Sequence, residues 1–405
     1  MSRITYIHQH FKRPDEAGGT RSWEFARRLA SDGHRVTVIC AGAQSRRYET
    51  EGFRVRQLRV AYANRFGFLA RIMSFIRFMC AATLVTLRVP ADLIYATSTP
   101  LTVAIPALAR RLLMGTPYIF EVRDLWPAVP VSLGYLRNPK VIRVAQCIER
   151  LAYRHAAEIV ALSPSMADGV VAVNLAVRVS VIPNSADQAL FHSVAQDRNA
   201  LRGELNWPNE KRIALYAGSL GHSYDTPWLV DLAQHLRQTE CIIVIAGSGA
   251  AEDSLRLAVQ KRGLDDTILL AGAVSKQDVA KMYSAADLIL STLLPHPSLE
   301  GNSLNKVFDA LAAGKAVAFN HGGWLTNRLT EAGAGWRLSR ESGSAAESLR
   351  RILDDERSLR QAEAAATVLG ETEFARDTHY SSLRQVITRA LGTLDTASFD
   401  EGKVA

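Results

Sequence analysis

The sequence predicts an α/β protein built from two doubly wound, Rossmann-like domains, and three observations support this prediction. Short runs rich in β-branched residues alternate with helical patterns along the 405-residue chain, which is typical of parallel sheets covered by helices on both faces. Strand character disappears at 184–210, where Asn, Asp and Pro accumulate before a new strand begins. The length suits two or three domains, and we expect a cleft between the two halves that binds ligands at the carboxyl ends of the strands.

The elements follow one another regularly. The strands expected in the first half lie at 4–8, 35–40, 53–58, 93–97, 118–122, 158–162 and 179–183. Those expected in the second half lie at 212–217, 241–246, 267–271, 288–292 and 316–320. Helical patterns lie between most of them, and a last helical pattern at 374–391 is expected to return to the first half. We therefore place the domains at 1–190 and 191–372, followed by a C-terminal helix at 373–395.

The composition is that of a soluble globular protein, with 48% hydrophobic and 22% charged residues. A net charge of +8 favours anionic partners, although solubility alone explains it equally well. Four scattered cysteines, without the spacing of a zinc site, fit a reducing cytosol. The first residues lack the apolar core of a signal peptide, and no uncharged apolar stretch of about 18 residues predicts a spanning helix.

Glycine-containing loops follow several strands and are candidate phosphate sites. Gly18, Gly19, Thr20 and Arg21 come after the first strand and open a helix, where free backbone N–H groups attract anions. An ordinary turn explains this pair of glycines equally well. In the second half, successive strands end in loops that contain the residues Gly218 and Ser219, Gly247 and Gly249, and Val274. Together these loops favour a rim that binds a nucleotide base and its diphosphate.

The most informative segment is 299–317. Its polar part leads into a helical pattern that ends at Gly314, and the start of such a helix is a suitable diphosphate site. We expect Lys306 to supply a mobile positive charge there and Asp309 to accept hydrogen bonds from ribose hydroxyls. The other candidate donor-binding residues of this segment are Glu300, Asn302, Ser303, Leu304 and Asn305. The alternative is an ordinary capped helix with a solvated lysine.

Part of this segment, FDALAAGKAV (308–317), resembles the motif of family 4 of the retaining glycosyltransferases. That motif has a Glu, seven residues and a second Glu; Asp309 occupies the second position, and Glu300 lies one residue before the first. The segment 121–136, EVRDLWPAVPVSLGYL, resembles a bacterial subgroup that builds O-antigen, capsule and exopolysaccharide units and includes N-acetylfucosaminyl transferases. Further agreement lies at 4–39, 161–170 and 181–191.

The resemblance implies a GT-B architecture and transfer, with retention of configuration, from a UDP-linked N-acetylated hexose to a polyprenyl-diphosphate-linked glycan. Arg123 and Lys306 are expected to meet phosphate charge, while Glu300, Asn302 and Ser303 face the donor. Asp124 is expected to orient Arg123 or the acceptor, or simply to cap a turn. The family often has His at the position of Arg123, and its basic pair after the first strand of the second domain is missing here. No DxD-type pair suggests Mg²⁺, so we expect no metal or other cofactor.

The apolar segment 64–88 contains four arginines, at 65, 71, 77 and 88. It could lie on the inner face of the cell membrane, with Phe66, Phe68 and Phe75 buried and the arginines at lipid headgroups. A packed helix with snorkelling arginines is the alternative. The expected location is therefore cytoplasmic and peripheral to the membrane.

Two other classes of function remain open from the sequence. A sugar-nucleotide epimerase can use the same pair of domains, but it would need acid and base carboxylates and no acceptor groove. A non-catalytic protein that binds an anionic ligand is the second, and dispersed arginines without an RNA-binding motif argue against a nucleic-acid partner. Release of UDP only in the presence of a lipid-linked acceptor would favour the transferase.

Overall fold

A computed structural model describes residues 1–16, 18–62, 66–185, 188–193 and 197–400. The chain forms two compact units. Unit 1 comprises Met1–Pro14, Gly19–Pro183 and the segment from His379, whereas unit 2 comprises Asp15–Gly18 and Asn184–Thr378. The domain boundary therefore lies at 183/184 rather than at the predicted 190/191, and the C-terminal segment leaves unit 2 at 378 rather than 372.

Unit 1 contains an eight-stranded sheet in the described part of the chain, with the strand order β3-β4-β2-β1-β5-β6-β7-β8. All neighbouring pairs are parallel except β3 and β4, which are antiparallel. The strands are β1 (Arg3–Ile7), β2 (Arg35–Gly42), β3 (Arg46–Thr50), β4 (Phe53–Arg59), β5 (Leu93–Thr97), β6 (Tyr118–Val122), β7 (Glu158–Ala161) and β8 (Val179–Val181). The chain adds β2 on one side of β1 and later returns to add β5 on the other side. The strand order therefore reverses between β1 and β5.

Helices cover both faces of this sheet. They are α1 (Arg21–Ser31), α2 (Phe68–Arg88), α3 (Ala104–Met114), α4 (Ala128–Ser132), α5 (Pro139–His155) and α6 (Pro164–Val173). Local chemistry starts several of them: Ser163 accepts the N–H of Met166 at 3.1 Å and so caps α6. Two apolar clusters, one including Tyr6 and Phe25 and the other including Phe78 and Phe120, form the core of the unit.

Unit 2 contains a six-stranded, wholly parallel sheet in its described part, with the order β11-β10-β9-β12-β13-β14. The strands are β9 (Arg212–Ala217), β10 (Cys241–Ala246), β11 (Ile268–Gly272), β12 (Leu288–Ser291), β13 (Val317–Phe319) and β14 (Gly335–Arg337). The helices are α7 (Gln188–Ser193), α8 (Arg198–Glu204), α9 (Thr226–His235), α10 (Glu252–Arg262), α11 (Lys276–Ala285), α12 (Asn305–Ala312), α13 (Trp324–Glu331), α14 (Ser342–Asp354) and α15 (Glu356–Glu371). One large apolar cluster fills the unit.

The last helix, α16 (Arg376–Asp400), contributes to the core of unit 1. Leu383, Val386 and Ile387 are buried there, and Arg389 forms an ion pair with Glu158. Two strands were not predicted from the sequence, namely β3 and β14. The sheets are otherwise parallel as predicted, and β3 is an antiparallel edge strand that pairs with β4.

The helix α2 also departs from the expectation that the chain has no helix able to span a membrane. By length and composition alone, Ala70–Arg88 is long and apolar enough, and 22% of its apolar window is buried. Phe78 and Ala82 are fully buried, however. One face of α2 therefore packs into the core of unit 1, as helices of α/β domains do. Residues 64 and 65 of the predicted membrane segment and the side chain of Phe68 lie outside the described residues.

Candidate functional site

The predicted donor-binding residues of unit 2 lie near the point where the strand order of its sheet reverses. The chain runs from β9 outward to β10 and β11, and then returns to β12 on the other side of β9. Loops diverge at such a point and leave a crevice at the carboxyl ends of the strands. The loop that begins at Gly218 follows β9, and the loop 292–304 follows β12 and leads into α12.

Lys306, in the first turn of α12, is the central side chain of this region. It is only 5% exposed, and its Nζ lies 3.7 Å from the centre of the Tyr216 ring and 4.2 Å from that of Tyr224. No described residue forms a hydrogen bond with this Nζ. A Cβ added at Gly218 would lie 3.0 Å from Cε and 3.2 Å from Nζ of Lys306. The lysine therefore fills a socket formed by two aromatic rings and a glycine.

This environment disfavours a permanent charge on the lysine. Each aromatic ring attracts an ammonium group by about 0.5–2 kcal/mol, whereas removing that group from water costs several kcal/mol. Desolvation dominates, so burial places the pKa of Lys306 well below its ordinary value. The alternative of a solvated lysine is therefore wrong, and the amine predicted as a mobile charge is buried. A bound anion would supply the missing partner, and α12 begins without a side-chain cap on its free N–H groups.

The glycines at the rim have a structural reason of their own. A Cβ at Gly247 would overlap the carbonyl oxygen of Gly218, and one at Gly249 would overlap the backbone of Leu220. Gly247 also donates its N–H to the carbonyl of Gly272 at 2.7 Å. The loops after β9 and β10 therefore pack backbone against backbone, which explains the glycines without a ligand. Exposed Ser219 and partly exposed Val274 lie in the loops after β9 and β11, and the nucleotide contacts of all these residues remain a prediction.

Glu300 is exposed and lies over a second pair of glycines. A Cβ at Gly322 would come within 3.1 Å of its Oε1, and one at Gly323 would overlap its backbone oxygen. These glycines therefore let the loop of Glu300 pack closely on the segment after β13. Leu304 is buried and Asn305, the first residue of α12, is exposed.

The rest of the loop is fixed by hydrogen bonds. The carbonyl oxygen of Asn302 accepts from Trp324 Nε1 at 3.1 Å. The Ser303 hydroxyl and carbonyl oxygens accept from the N–H and side-chain amide of Asn184 at 3.2 and 2.9 Å. Asp309 is half-buried one turn into α12, and its predicted contact with ribose is not tested by these contacts. Ser303 thus has a structural partner, which the sequence did not predict.

In unit 1, the structure contradicts the phosphate-binding role predicted for Arg21. This side chain is 6% exposed, and its guanidinium donates to Glu121 at 3.0 Å and to the carbonyl oxygens of Ile182 and Pro183. It also lies over the ring of Phe25 at 4.5 Å. Each guanidinium nitrogen has a partner, so Arg21 is a structural residue.

Glu121 was not identified from the sequence, although it is the one charged residue in the apolar run of β6. It is fully buried and accepts hydrogen bonds from the hydroxyls of Tyr95 and Thr97, both at 2.6 Å, in addition to that from Arg21. A carboxylate within such a run, with no water to solvate it, predicts a buried partner of opposite charge. This rule could have paired Glu121 with a cation.

Arg123 lies at the carboxyl end of β6, beside residues from the ends of β1 and β5. Its N–H donates to the Ser98 hydroxyl at 2.9 Å, and its Nη1 lies 3.5 Å from His8 Nε2. Burial, with the charge of Arg123, places the pKa of His8 well below its ordinary value and lowers that of His10 to about 4. The sequence thus located Arg123 correctly at a strand end but missed the two histidines beside it.

Asp124 follows Arg123 and is half-buried. Burial raises the pKa of its carboxyl to about 6, and no described residue forms a hydrogen bond with that carboxyl. Gly18 is exposed, whereas Thr20 is buried and accepts the N–H of Glu24 on its carbonyl oxygen at 3.0 Å. Over the described ranges no group of three or more His, Cys, Asp or Glu residues could hold a metal ion.

Comparison with known proteins adds two family matches that together follow the division of the chain. Residues 17–185 match the model described as "Glycosyl transferase 4-like domain". Residues 197–368 match the model described as "Glycosyl transferases group 1".

A curated relative is the putative colanic acid biosynthesis glycosyl transferase WcaI of Escherichia coli, which is 29% identical over 157 residues. The match spans 38% of this chain and 39% of that protein's length.

Among solved structures, sucrose-phosphate synthase from Thermosynechococcus elongatus has a TM-score of 0.81 at 17% identity, covering 97% of this chain and 100% of that one. HepE of Anabaena, in complex with UDP and glucose, has a TM-score of 0.70 at 17% identity, covering 96% and 100%. At these identities the likeness shows the fold alone.

Proposed function

The chain belongs to the family 4 glycosyltransferases of the GT-B fold, and from this premise we propose that it transfers a hexose from a nucleotide-sugar to a glycan acceptor carried on a polyprenyl diphosphate. The observation that carries this proposal is Lys306, which is buried, lacks a hydrogen-bond partner among the described residues and lies at the uncapped start of α12. A nucleotide diphosphate is the ligand that such a socket fits best.

The proposed chemistry follows from where charge develops. As the bond between the anomeric carbon and the leaving phosphate breaks, negative charge grows on the diphosphate and positive charge grows on the sugar. Lys306 and the first N–H groups of α12 would stabilise the leaving diphosphate, and Asp309 would hold the ribose. Glu300 would contact the donor sugar, and transfer would proceed with retention and without a metal ion.

Two comparisons support the finer parts of the proposal. HepE, which shares the fold, is solved with UDP and glucose, and this favours a UDP-sugar donor here. The Escherichia coli relative is named for the biosynthesis of colanic acid, which favours a role in the synthesis of a bacterial surface polysaccharide. We propose an N-acetylated hexose as the transferred sugar because 121–136 resembles the N-acetylfucosaminyl transferase subgroup.

The donor and the reaction can be tested together. In a thermal-shift panel of UDP, GDP, ADP and their sugars, we expect UDP compounds to raise the melting temperature most, because a ligand that binds only the folded state stabilises it. UDP release from the donor should then require a polyprenyl-diphosphate-linked glycan. Conversion of the donor sugar without any acceptor would instead identify an epimerase and contradict the proposal.

Membrane association through unit 1 is part of the proposal, and the structure changes which residues should carry it. The Phe75 ring stacks on Tyr62 at 5.9 Å, and Phe66 lies 6.4 Å from the same tyrosine, so neither of these two aromatic rings projects freely. Among the side chains of α2 that the structure describes, the large apolar ones that are exposed are Met73, Ile76 and Leu84, at 49%, 41% and 54%. Exposed Arg77 and Arg88 lie on the same helix and would meet anionic headgroups.

We expect the triple substitution Met73→Ser, Ile76→Ser and Leu84→Ser to abolish co-flotation with vesicles that contain anionic phospholipid. These side chains are already exposed, so the fold should be retained, and the apolar area offered to the bilayer is lost. The substitutions Leu257→Ser and Val368→Ser, at apolar positions of unit 2 that are 50% and 58% exposed, serve as the matched control. Equal flotation of all three proteins would exclude this face of α2 as the membrane contact.

A further inference from the structure

The socket around Lys306 is rigid. The hydroxyl of Tyr216 donates to the carbonyl oxygen of Ser219 at 2.7 Å, which fixes its ring beneath the loop after β9. The ring of Tyr224 meets that of Tyr216 edge to face, with centres 6.3 Å apart and planes at 74°. Tyr283 donates its hydroxyl to the backbone oxygen of Lys306 at 3.0 Å and holds the start of α12 from the other side. The position of Nζ is therefore set before any ligand arrives.

Among the residues that the structure describes, no carboxylate supplies a counter-charge to Nζ in this socket. Burial is the one cause that shifts the pKa of Lys306, and no acidic group acts on it. His321 adds no positive charge near neutral pH, because burial lowers its pKa to about 4. Asp309 is the other titratable group on α12. The elements packed against α12 carry Lys276, Asp278, Lys281 and Tyr283 on α11, His192 on α7, and Glu356, Arg357, Arg360, Glu363 and Glu371 on α15, and Lys315, just after α12, pairs with Glu363.

We propose that Tyr216 and Tyr224 position Lys306 as an uncharged amine in the empty site, and that a nucleoside diphosphate binds together with one proton, which Nζ takes up from solvent. The inference rests on the proposed function, because it assigns the diphosphate to the same socket. The amine gains one proton from solvent and becomes an ammonium group. The bound diphosphate supplies the negative charge that the two aromatic rings lack. Gly218 leaves the approach to Nζ free of a side chain.

This coupling makes binding depend on pH in a defined direction. Between the pKa of the amine in the empty site and that of the ammonium beside a diphosphate, the bound state holds one more proton than the free state. Between these two pKa values the affinity should therefore fall as the pH rises, by up to about tenfold for each pH unit. A lysine charged throughout would bind with an affinity nearly independent of pH over this range.

The test is isothermal titration calorimetry with the tightest binder among UDP, GDP and ADP, in buffers of different ionisation enthalpy from pH 7 to pH 9. We expect the wild-type protein to take up close to one proton per ligand. Lys306→Met should bind more weakly and take up none. Tyr224→Ala, which admits water to Nζ, should reduce the uptake and flatten the pH profile, whereas Tyr224→Phe should keep both.

Lys315→Met is the matched control, because Lys315 follows the same helix but forms an ion pair with Glu363 at 3.0 Å. Its proton uptake should equal that of the wild type. Tight, pH-independent binding without proton uptake would overturn this inference and leave the proposed function standing. If none of the three diphosphates binds the wild-type protein, the proposed function fails with it.

Discussion

Lys306→Met is expected to lower kcat/KM for sugar transfer by about a hundredfold or more, because a buried donor that faces developing phosphate charge commonly contributes that much. Methionine has a similar length and no charge, so it can fill the space between Tyr216 and Tyr224. The free energy of unfolding should stay equal or rise, since a buried amine without a partner costs about 1–3 kcal/mol. Activity and stability should thus change in opposite directions.

The measurement is steady-state UDP release with a lipid-linked acceptor, alongside urea unfolding of the same preparations. Lys315→Met controls for the loss of one lysine near α12 and should retain activity, because its partner Glu363 is partly exposed and the pair is weak. Wild-type turnover by Lys306→Met would remove Lys306 from the mechanism. A large loss of stability would show that the lysine supports the fold.

Much of the fold was predictable because buried parallel strands appear as continuous apolar runs. The segments LIYAT and YIFEV are found as β5 and β6 with the predicted bounds. The strand β3 was missed because RRYET is a charged edge strand, mostly exposed, which pairs with β4 through a tight reversal. The strand β14, with the sequence GWR, was missed because it has no β-branched residue, unlike the equally short strands β8 and β13.

The sequence predicted only those features of the site that depend on residues close together in the chain. The segment 299–317 located α12 and Lys306, but the burial of that lysine depends on Tyr216 and Tyr224, which are distant in the chain. Arg21 illustrates the same limit. Its place after two glycines at a helix start suggested a phosphate ligand, whereas its actual partner, Glu121, lies 100 residues further along. Partners of charged side chains at such separations are set by the topology of the sheet.

The buried ion pair between Arg21 and Glu121 should contribute strongly to the stability of the protein. Arg21→Met and Glu121→Gln are each expected to lower the free energy of unfolding of the protein by about 3–5 kcal/mol, because each leaves a buried charge without its partner. For a domain of this size that corresponds to a fall in melting temperature of roughly 10 °C. The double variant Arg21→Met with Glu121→Gln should lose less than the sum of the two, since no unpaired charge remains and the glutamine oxygen still accepts from Tyr95 or Thr97.

The pH dependence identifies the cause. Burial alone would raise the pKa of Glu121, but the charges of Arg21 and Arg123 and the hydroxyls of Thr97 and Tyr95 hold it below its ordinary value. A carboxyl with a depressed pKa stabilises the fold above its unfolded pKa, and this contribution is lost as the pH falls through the folded one. The deficit of Arg21→Met, measured by urea unfolding, should therefore be largest near neutral pH and shrink in acid.

The exposed pair between Arg3 and Asp92 provides the matched control. Its side chains are 51% and 32% exposed, so Arg3→Met should cost less than about 1 kcal/mol. If Arg21→Met lowered the free energy of unfolding no more than Arg3→Met, the buried pair would not hold α1 against β6. Arg21 would then again be a candidate for the anion-binding role that its three partners now exclude. A large, pH-dependent deficit would instead confirm that Glu121 holds Arg21, and Arg123, at the end of β6, would remain the residue predicted to meet phosphate charge in unit 1.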